Sequence, residues 1–243
     1  HVLGFTNIDD HGQEGLELAF DDWLTGKPGA QKVIRDRRGH IVENVDLVRA
    51  AEPGKDITLS IDRRIQYLAY RELKSALIEN RAASGSAVVI DVPTGEILAM
   101  VNQPAYNPNA RGAADPGTHR NRAATDVVEP GSVIKPFTVA AALEAGVDPA
   151  IQIDTNPGTM MLGKYRIGDV HNHGVVDLTH LLSFSSNVGA AKLGLNMTSE
   201  HLSDVLTRFG YGESTHSGFP GESAGVLAPP KTWGMVKRGS ISY

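Results

Sequence analysis

Ser132 and Lys135 are the two residues in this sequence whose types and spacing could support covalent chemistry. Residues three apart on a helix lie on the same face, so the lysine amine can approach the serine hydroxyl. A serine hydroxyl is a weak nucleophile until a base removes its proton, and a buried amine with a lowered pKa can act as that base. The free N–H groups at a helix start also stabilise negative charge that develops beside Ser132. The pair is therefore a candidate nucleophile and base for acyl transfer.

A purely structural role for the same pair is also open. Ser132 would then cap a core helix with an ordinary lysine, since a serine three residues before a lysine occurs by chance in many proteins. The pattern predicts a helix from about Ser132 to Ala145, closed by Gly146, with almost no polar face. Its apolar positions are Val133, Ile134, Phe137, Val139, Ala140, Ala141, Ala142 and Leu143. A helix that is apolar all round is buried, and a lysine inside it must find polar partners or lose its charge.

Residues 183–189, Ser-Phe-Ser-Ser-Asn-Val-Gly, form a second polar element. Ser185 could relay a proton and Asn187 could bind substrate through its amide, although the segment alone is no more than a polar turn. Serine β-lactamases and penicillin-binding proteins combine a Ser-x-x-Lys motif with a Ser-x-Asn element and a Lys-Thr-Gly motif. The first two motifs occur here in that order, which makes the signal specific.

The sequence pattern also predicts the helices and strands that would position these two motifs. Apolar periodicity predicts helices over 16–24 and 61–80 and strands at 31–35, 40–45, 56–59, 86–91 and 96–101. Ser60 is expected to cap the second helix, with Asp62 in its first turn. The turn at 52–55 is the predicted domain boundary. A Pro-, Gly- and Asn-rich stretch at 103–122 has no periodicity, which is typical of a functional or mobile loop.

The chain resembles class B penicillin-binding proteins over nearly its whole length, in particular their division-specific, FtsI-type peptidoglycan D,D-transpeptidases of Gram-negative bacteria. Residues 129–136, Glu-Pro-Gly-Ser-Val-Ile-Lys-Pro, look like the active-site signature of that family. Further matching segments are 15–17, 20–21, 26–29, 91–100, 106–109, 120–123, 185–189 and 220–222.

The resemblance implies an α/β (α+β) fold of the penicillin-binding transpeptidase and serine β-lactamase type. Residues 1–54 would be the C-terminal part of an extended pedestal (dimerisation-type) domain. Residues 55–243 would be the N-terminal part of the transpeptidase domain. Since the sequence does not begin with Met, we expect a processed or partial chain whose anchor or export signal lies upstream.

The resemblance also implies a serine-type transpeptidase that cross-links peptidoglycan stem peptides during septal cell-wall synthesis. Ser132 would attack the penultimate D-Ala carbonyl and release the terminal D-Ala, with Lys135 as the base and Ser185 as a proton relay. The residues that would bind substrate, as a backbone partner or as cleft walls, are Asn187, Val170 and Tyr243.

Partners and location follow from the same resemblance. β-Lactam antibiotics would acylate Ser132 as substrate mimics, and no metal or other cofactor is expected. The implied partners are stem peptides, a septal glycan polymerase and other division proteins. The implied location is the periplasmic face of the bacterial inner membrane, with the membrane reached only through an N-terminal anchor outside this chain.

The third family motif, Lys-Thr/Ser-Gly on a core strand, is absent from the sequence. The nearest string is Lys231-Thr232-Trp233, which has a bulky Trp where the substrate-facing strand needs Gly. Because members of the family continue far beyond the position of Tyr243, we expect the chain to be truncated before that motif.

Composition argues against several other functions. A net charge of -5 without a long basic run disfavours nucleic-acid binding, and Cys 0 rules out disulfides and thiolate catalysis. No stretch approaches the roughly 20 apolar residues of a membrane helix. Asp169, His171 and His173 have a metal-like spacing, but zinc would need further ligands, so a solvated loop is the prediction.

Two other functions fit the same motifs. A serine β-lactamase shares the nucleophile and the lysine, although such hydrolases usually lack the pedestal segment seen before residue 52. A non-catalytic scaffold or β-lactam sensor would keep the fold and become acylated without turnover. The rate at which a bound penicillin is released, and the release of D-Ala, would separate the three.

Overall fold

The computed structural model describes residues 1–110 and 116–243, and the chain divides into two compact units. The first unit comprises His1–Asp126 and His216–Ser223, and the second comprises Val127–Thr215 and Ala224–Tyr243. Within the described ranges, no helix combines the length and the apolar character that crossing a membrane requires.

The first unit consists of antiparallel strand pairs and mostly short helices. Its helices are α1 (Gly15–Ala19), α2 (Asp21–Leu24), α3 (Arg63–Asn80) and α4 (Arg122–Thr125), with a 3-10 turn at Pro116–Thr118. Its strands are β1 (Phe5–Thr6), β2 (Gly12–Glu14), β3 (Ala30–Arg35), β4 (Ile41–Arg49), β5 (Gly85–Ile90) and β6 (Ile97–Gln103). The pairs are β1 with β2, β3 with β4, and β5 with β6. The two long hairpins confirm the strands predicted around the turns at 36–40 and 92–95.

Helix α3 packs against the β5–β6 hairpin. The Gln66 amide donates to Met100 O at 2.9 Å and accepts from Met100 N at 2.8 Å, so the helix is tied to the backbone of β6. At Gly85 a Cβ atom would come within 2.8 Å of Leu77 Cδ1. The missing side chain therefore permits the close approach of helix and strand.

Some sequence predictions for this unit are wrong. Asp62, not Ser60, caps α3, because its carboxylate accepts the N–H groups of the first turn while the Ser60 hydroxyl donates to a backbone carbonyl of β6. Residues 56–59 form no strand, and the carbonyl of Asp56 accepts the indole N–H of Trp23. The helix predicted over 16–24 is divided into α1 and α2. The aperiodic stretch 103–122 lies partly outside the described residues.

The second unit is mainly helical. Its helices are α5 (Lys135–Glu144), α6 (Leu178–Ser183), α7 (Asn187–Leu195), α8 (Ser199–Arg208) and α9 (Met235–Ile241), with 3-10 turns at Gly131–Ile134 and Pro230–Thr232. Its strands are β7 (Ile153–Asp154), β8 (Thr159–Leu162), β9 (Tyr165–Gly168) and β10 (Val175–Val176). Strand β8 pairs with β9, and β7 pairs with β10.

One apolar core joins α5 to the helices around it. The buried side chains of that core include Ile134, Val139, Leu181, Leu193, Leu202, Val205, Leu206 and Trp233. Helix α7 contributes small residues that allow close packing, because a Cβ atom at Gly194 would lie 1.8 Å from Ser242 Oγ. Trp233 is 6% exposed and follows the Pro230–Thr232 turn, so the Lys231-Thr232-Trp233 string lies on a turn and not on a strand.

The prediction that the helix after Ser132 is buried on all sides is wrong in part. Ala141 and Ala142 are fully buried, but Val133 is 65% exposed and Leu143 is 41% exposed. One side of this segment, including Ile134, Val139 and the two alanines, faces the core, while Val133 and Leu143 lie at the surface. Lys135 nevertheless lies on the buried side, with 1% of its surface exposed.

Candidate active site

Ser132 lies in a 3-10 turn that leads directly into α5, whose first residue is Lys135. Gly131 has φ +61, a left-handed conformation that favours glycine, and a Cβ atom there would meet nothing within 4 Å. Glycine is therefore favoured at position 131 by its backbone conformation and not by a lack of space, since the region in front of the turn is open. Pro136 fits the first turn of α5 because a first-turn N–H has no partner within the helix.

The Lys135 amine is the centre of the site. Its Nζ lies 2.9 Å from Ser132 Oγ and 2.9 Å from Ser185 Oγ. It also lies 2.7 Å from Ser185 O and 2.6 Å from Asn187 Oδ1. The structure thus brings together all four residues that the sequence motifs singled out as nucleophile, base, relay and amide.

The positions of these four oxygen atoms are compatible with a neutral amine that can accept a proton. The carbonyl oxygens of Ser185 and Asn187 can only accept, so they take two N–H bonds from Lys135. A neutral amine then has its lone pair left for a hydroxyl, and Ser132 Oγ is within reach. The Ser185 hydroxyl can donate to Ser132 Oγ at 3.0 Å, which links the three groups in a ring.

Burial lowers the pKa of Lys135 below its ordinary value, because the charged form loses its water. The negative charge of Asp169 acts in the opposite direction and raises it. Burial is the larger effect. The amine therefore loses its proton at a lower pH than a solvent-exposed lysine, as a general base requires.

Ser185 reaches the amine because its backbone is in an unusual conformation. Helix α6 is capped by Asp177, whose carboxylate accepts from His180 N, and it ends just before the turn that carries Ser185. Ser185 has φ +55, in the left-handed region that residues with a Cβ atom rarely adopt. Such conformations are typical of functional sites. The turn aims both the hydroxyl and the carbonyl of Ser185 at Lys135.

The Asn187 amide is held in one orientation. Its Nδ2 donates to Gly168 O at 2.9 Å, and because a carbonyl can only accept, the amide oxygen must face away from it. That oxygen contacts Lys135. The end of β9 thus orients the first side chain of α7.

Val170 and Tyr243 lie elsewhere in the second unit. Val170 follows β9 in the loop and is 89% exposed. Tyr243 follows α9 and packs, half-buried, against the core that α5 and α7 share. Their assignment as cleft walls stays a prediction.

Asp169 is the residue near this site whose environment the sequence spacing did not reveal. Its carboxylate accepts from Ser186 Oγ at 2.6 Å and from Val188 N at 2.9 Å, at the first turn of α7. The described residues contain no group of three or more His, Asp or Glu side chains that could hold a metal ion. The Asp-x-His-x-His spacing suggested metal ligands, but the carboxylate of Asp169 instead joins the end of β9 to the start of α7.

Two protein-family profiles match the chain. The penicillin-binding protein transpeptidase domain matches residues 85–243, and the penicillin-binding protein dimerisation domain matches residues 3–59. The second match agrees with the pedestal segment expected at the N-terminus.

Similar curated proteins are peptidoglycan D,D-transpeptidases. The chain is 46% identical over 246 residues to the probable peptidoglycan D,D-transpeptidase PenA of Neisseria gonorrhoeae, covering 100% of this chain and 42% of PenA. It is 43% identical over 243 residues to the peptidoglycan D,D-transpeptidase FtsI of Escherichia coli K12, covering 100% of this chain and 41% of FtsI. The chain thus spans about two fifths of the length of these relatives.

Solved structures support the same fold. The transpeptidase domain of Burkholderia pseudomallei penicillin-binding protein 3 has a TM-score of 0.67 and 39% identity, covering 79% of this chain and 54% of that one. A peptidoglycan glycosyltransferase from Burkholderia ambifaria has a TM-score of 0.67 and 40% identity, covering 76% and 55%.

Proposed function

Since the chain belongs to the penicillin-binding protein transpeptidase family, we propose that it carries the acylating centre of a septal peptidoglycan D,D-transpeptidase. The observation that supports this most directly is the buried Lys135 amine, which lies 2.9 Å from Ser132 Oγ. The same amine contacts Ser185 and Asn187, so the nucleophile, the proton relay and the substrate-binding amide all lie within hydrogen-bond distance of the base.

Acylation proceeds by attack of Ser132 on the penultimate D-Ala carbonyl of a stem peptide. Lys135 takes the hydroxyl proton as the Oγ–C bond forms. The amide bond to the terminal D-Ala then breaks, and its nitrogen receives a proton from Lys135, directly or through Ser185. The backbone N–H of Ser132, at the start of the 3-10 turn that leads into α5, stabilises the developing oxyanion, because the first N–H groups of a helix have no partner within it.

Transfer to a second stem peptide reverses these roles. An amine of the acceptor attacks the acyl carbon and gives up a proton to Lys135. The ester bond to Ser132 breaks, and the proton returns to Oγ. An amide cross-link is formed and the serine is regenerated. Asn187 binds the donor backbone during both steps, and Val170 and Tyr243 line the cleft.

β-Lactams acylate the same serine because their strained amide resembles the substrate amide. We further propose that the pedestal part ends near residue 54, and that the protein works at the periplasmic face of the inner membrane with a glycan polymerase and other division proteins. The D,D-transpeptidase names of the relatives support the substrate class.

The test is covalent labelling of the full-length protein with a fluorescent penicillin. Ser132→Ala should abolish labelling, and peptide mass analysis of the wild type should place the adduct on Ser132. Ser183→Ala is the matched control, because this nearby exposed serine makes only a 3.4 Å contact with its own helix, and labelling should persist. Labelling of Ser132→Ala at another residue would refute the assignment.

The fate of the adduct separates the alternatives. A transpeptidase holds the label for hours and releases D-Ala from a stem-peptide substrate in the presence of an acceptor amine. Rapid loss of the label would indicate a β-lactamase. A stable label without D-Ala release would indicate a sensor or scaffold.

A further inference from the structure

Asp169 joins the end of β9 to the start of α7 through charge-assisted hydrogen bonds. Its two carboxylate oxygens accept from Ser186 Oγ at 2.6 Å and from Val188 N at 2.9 Å. Its own backbone is fixed, since Asp169 N donates to Gly158 O at 2.9 Å. Hydrogen bonds to a charged group are shorter and stronger than neutral ones. This contact is therefore a strong restraint on the first turn of α7.

The residues that Asp169 holds surround the site residue Asn187. Ser186 and Val188 are its two chain neighbours, and Ser186 is completely buried. The Asn187 side chain donates to the carbonyl of Gly168, which precedes Asp169. The backbone and the side chain of Asn187 are thus both anchored to the same end of β9. A shift of this turn would move Asn187 Oδ1 and the Ser185 carbonyl away from Lys135.

The carboxylate also acts on Lys135 through its charge. The amine is surrounded by Ser132 from the 3-10 turn, by Ser185 from the turn after α6, and by Asn187 from α7, all of them uncharged. Among the described residues, Asp169 is the charged group whose field acts on the Lys135 pKa, and it raises that pKa against the effect of burial.

We propose that Asp169 is a positioning residue for acylation, which fixes the Ser185–Asn187 turn around the Lys135 amine and holds a negative charge near it. This inference rests on the proposed function, since it assigns Asp169 a part in the same acylation step. It extends the site beyond the two motifs, to a residue that contacts neither the nucleophile nor the base directly.

The two parts of this role have different kinetic signatures. Loss of the restraint displaces Asn187 and lowers the rate on the plateau of the pH profile. Loss of the charge lowers the pKa of Lys135, so the neutral base is present at lower pH and the acidic limb of the profile moves to lower pH. A residue that only stabilises the fold would lower the plateau without moving the limb.

The experiment measures the second-order rate of acylation by a fluorescent penicillin across a pH series, with full-length variants. Asp169→Asn keeps the shape and can still accept from Val188 N, so it removes mainly the charge. Asp169→Ala removes both, and we expect a plateau about 10- to 100-fold lower, since a displacement of roughly 1 Å costs that much. Asp177→Asn is the matched control, because Asp177 also caps a helix of this unit, α6.

The expected result is a limb at lower pH in Asp169→Asn, a reduced plateau in Asp169→Ala, and a wild-type profile in Asp177→Asn. The inference would be overturned if the acidic limb of the pH profile does not move in Asp169→Asn, or if the plateau rate of Asp169→Ala equals that of the wild type. In either case, a penicillin adduct on Ser132 of the wild type would leave the proposed function intact. A wild-type protein without a Ser132 adduct would refute both. Thermal melting checks the fold, and if Asp169→Ala does not fold, Asp169→Asn decides alone.

Discussion

Replacing Lys135 by Arg places a permanent positive charge at the centre of the site and removes the proposed base. Arginine cannot give up its proton at any pH at which the protein is folded, so it cannot accept the Ser132 proton. Loss of a general base costs on the order of 10²- to 10⁴-fold in rate. Because Lys135 contacts the nucleophile and both other polar residues of the site, we expect a loss near the upper end of that range. That loss corresponds to about 4 to 5.5 kcal/mol of transition-state stabilisation.

Lys135→Met separates the amine from its volume. Methionine fills a similar space in the buried position, and because Ser185 is an exposed residue we expect water to replace the amine at its carbonyl. The variant also removes the cost of burying an ionisable amine. We therefore expect Lys135→Met to fold with little change in melting temperature and to acylate as slowly as Lys135→Arg.

The assay is the second-order rate of acylation by a fluorescent penicillin as a function of pH. In the wild type the rate should fall as the pH falls through the lowered pKa of Lys135, because the protonated amine cannot act as a base. Both variants should lack this limb. Lys192→Arg is the control, since this lysine of α7 donates to Asp154 O away from the nucleophile, and we expect a change within about twofold. Lys135 would be refuted as the base if Lys135→Arg is acylated within about tenfold of the wild-type rate. Such a loss corresponds to no more than about 1.4 kcal/mol of transition-state stabilisation.

Two further predictions concern the backbone around the site. Ser185→Gly and Ser185→Ala should acylate equally slowly because both lack the hydroxyl, but the Gly variant should be more stable by about 1 kcal/mol, since φ +55 strains a residue with a Cβ atom; equal stabilities in chemical denaturation would contradict this. Gly194→Ala should lower the free energy of unfolding by about 1–3 kcal/mol, because the new Cβ would lie 1.8 Å from the buried Ser242 Oγ, a clash that outweighs the better helix propensity of alanine. Gly234→Ala, where a Cβ meets nothing within 4 Å, should lower the free energy of unfolding by less than about 1 kcal/mol in the same experiment, a cost that comes from replacing the glycine that caps α9.

Local features of the fold could be predicted from the sequence because they depend on neighbours in the chain. The β5–β6 hairpin follows from two apolar runs around a Pro-Thr-Gly turn, and α3 follows from its apolar spacing. The cap of α3 could not be assigned correctly in this way. Ser60 and Asp62 are both good capping residues, and the choice depended on a carbonyl of β6, distant in sequence, that took the Ser60 hydroxyl.

The same distinction between local and long-range contacts applies to the candidate site. The Ser132–Lys135 contact is set by a three-residue spacing on one helical turn, so the sequence by itself indicated the candidate nucleophile and its base. The order of the two motifs indicated the candidate relay and amide. The meeting of these motifs, the left-handed backbone of Ser185 and the contacts of Asp169 were decided only by tertiary structure. They depend on how α5, α7 and β9 pack around a shared core, and contacts between residues far apart in the chain leave no periodic trace in the sequence.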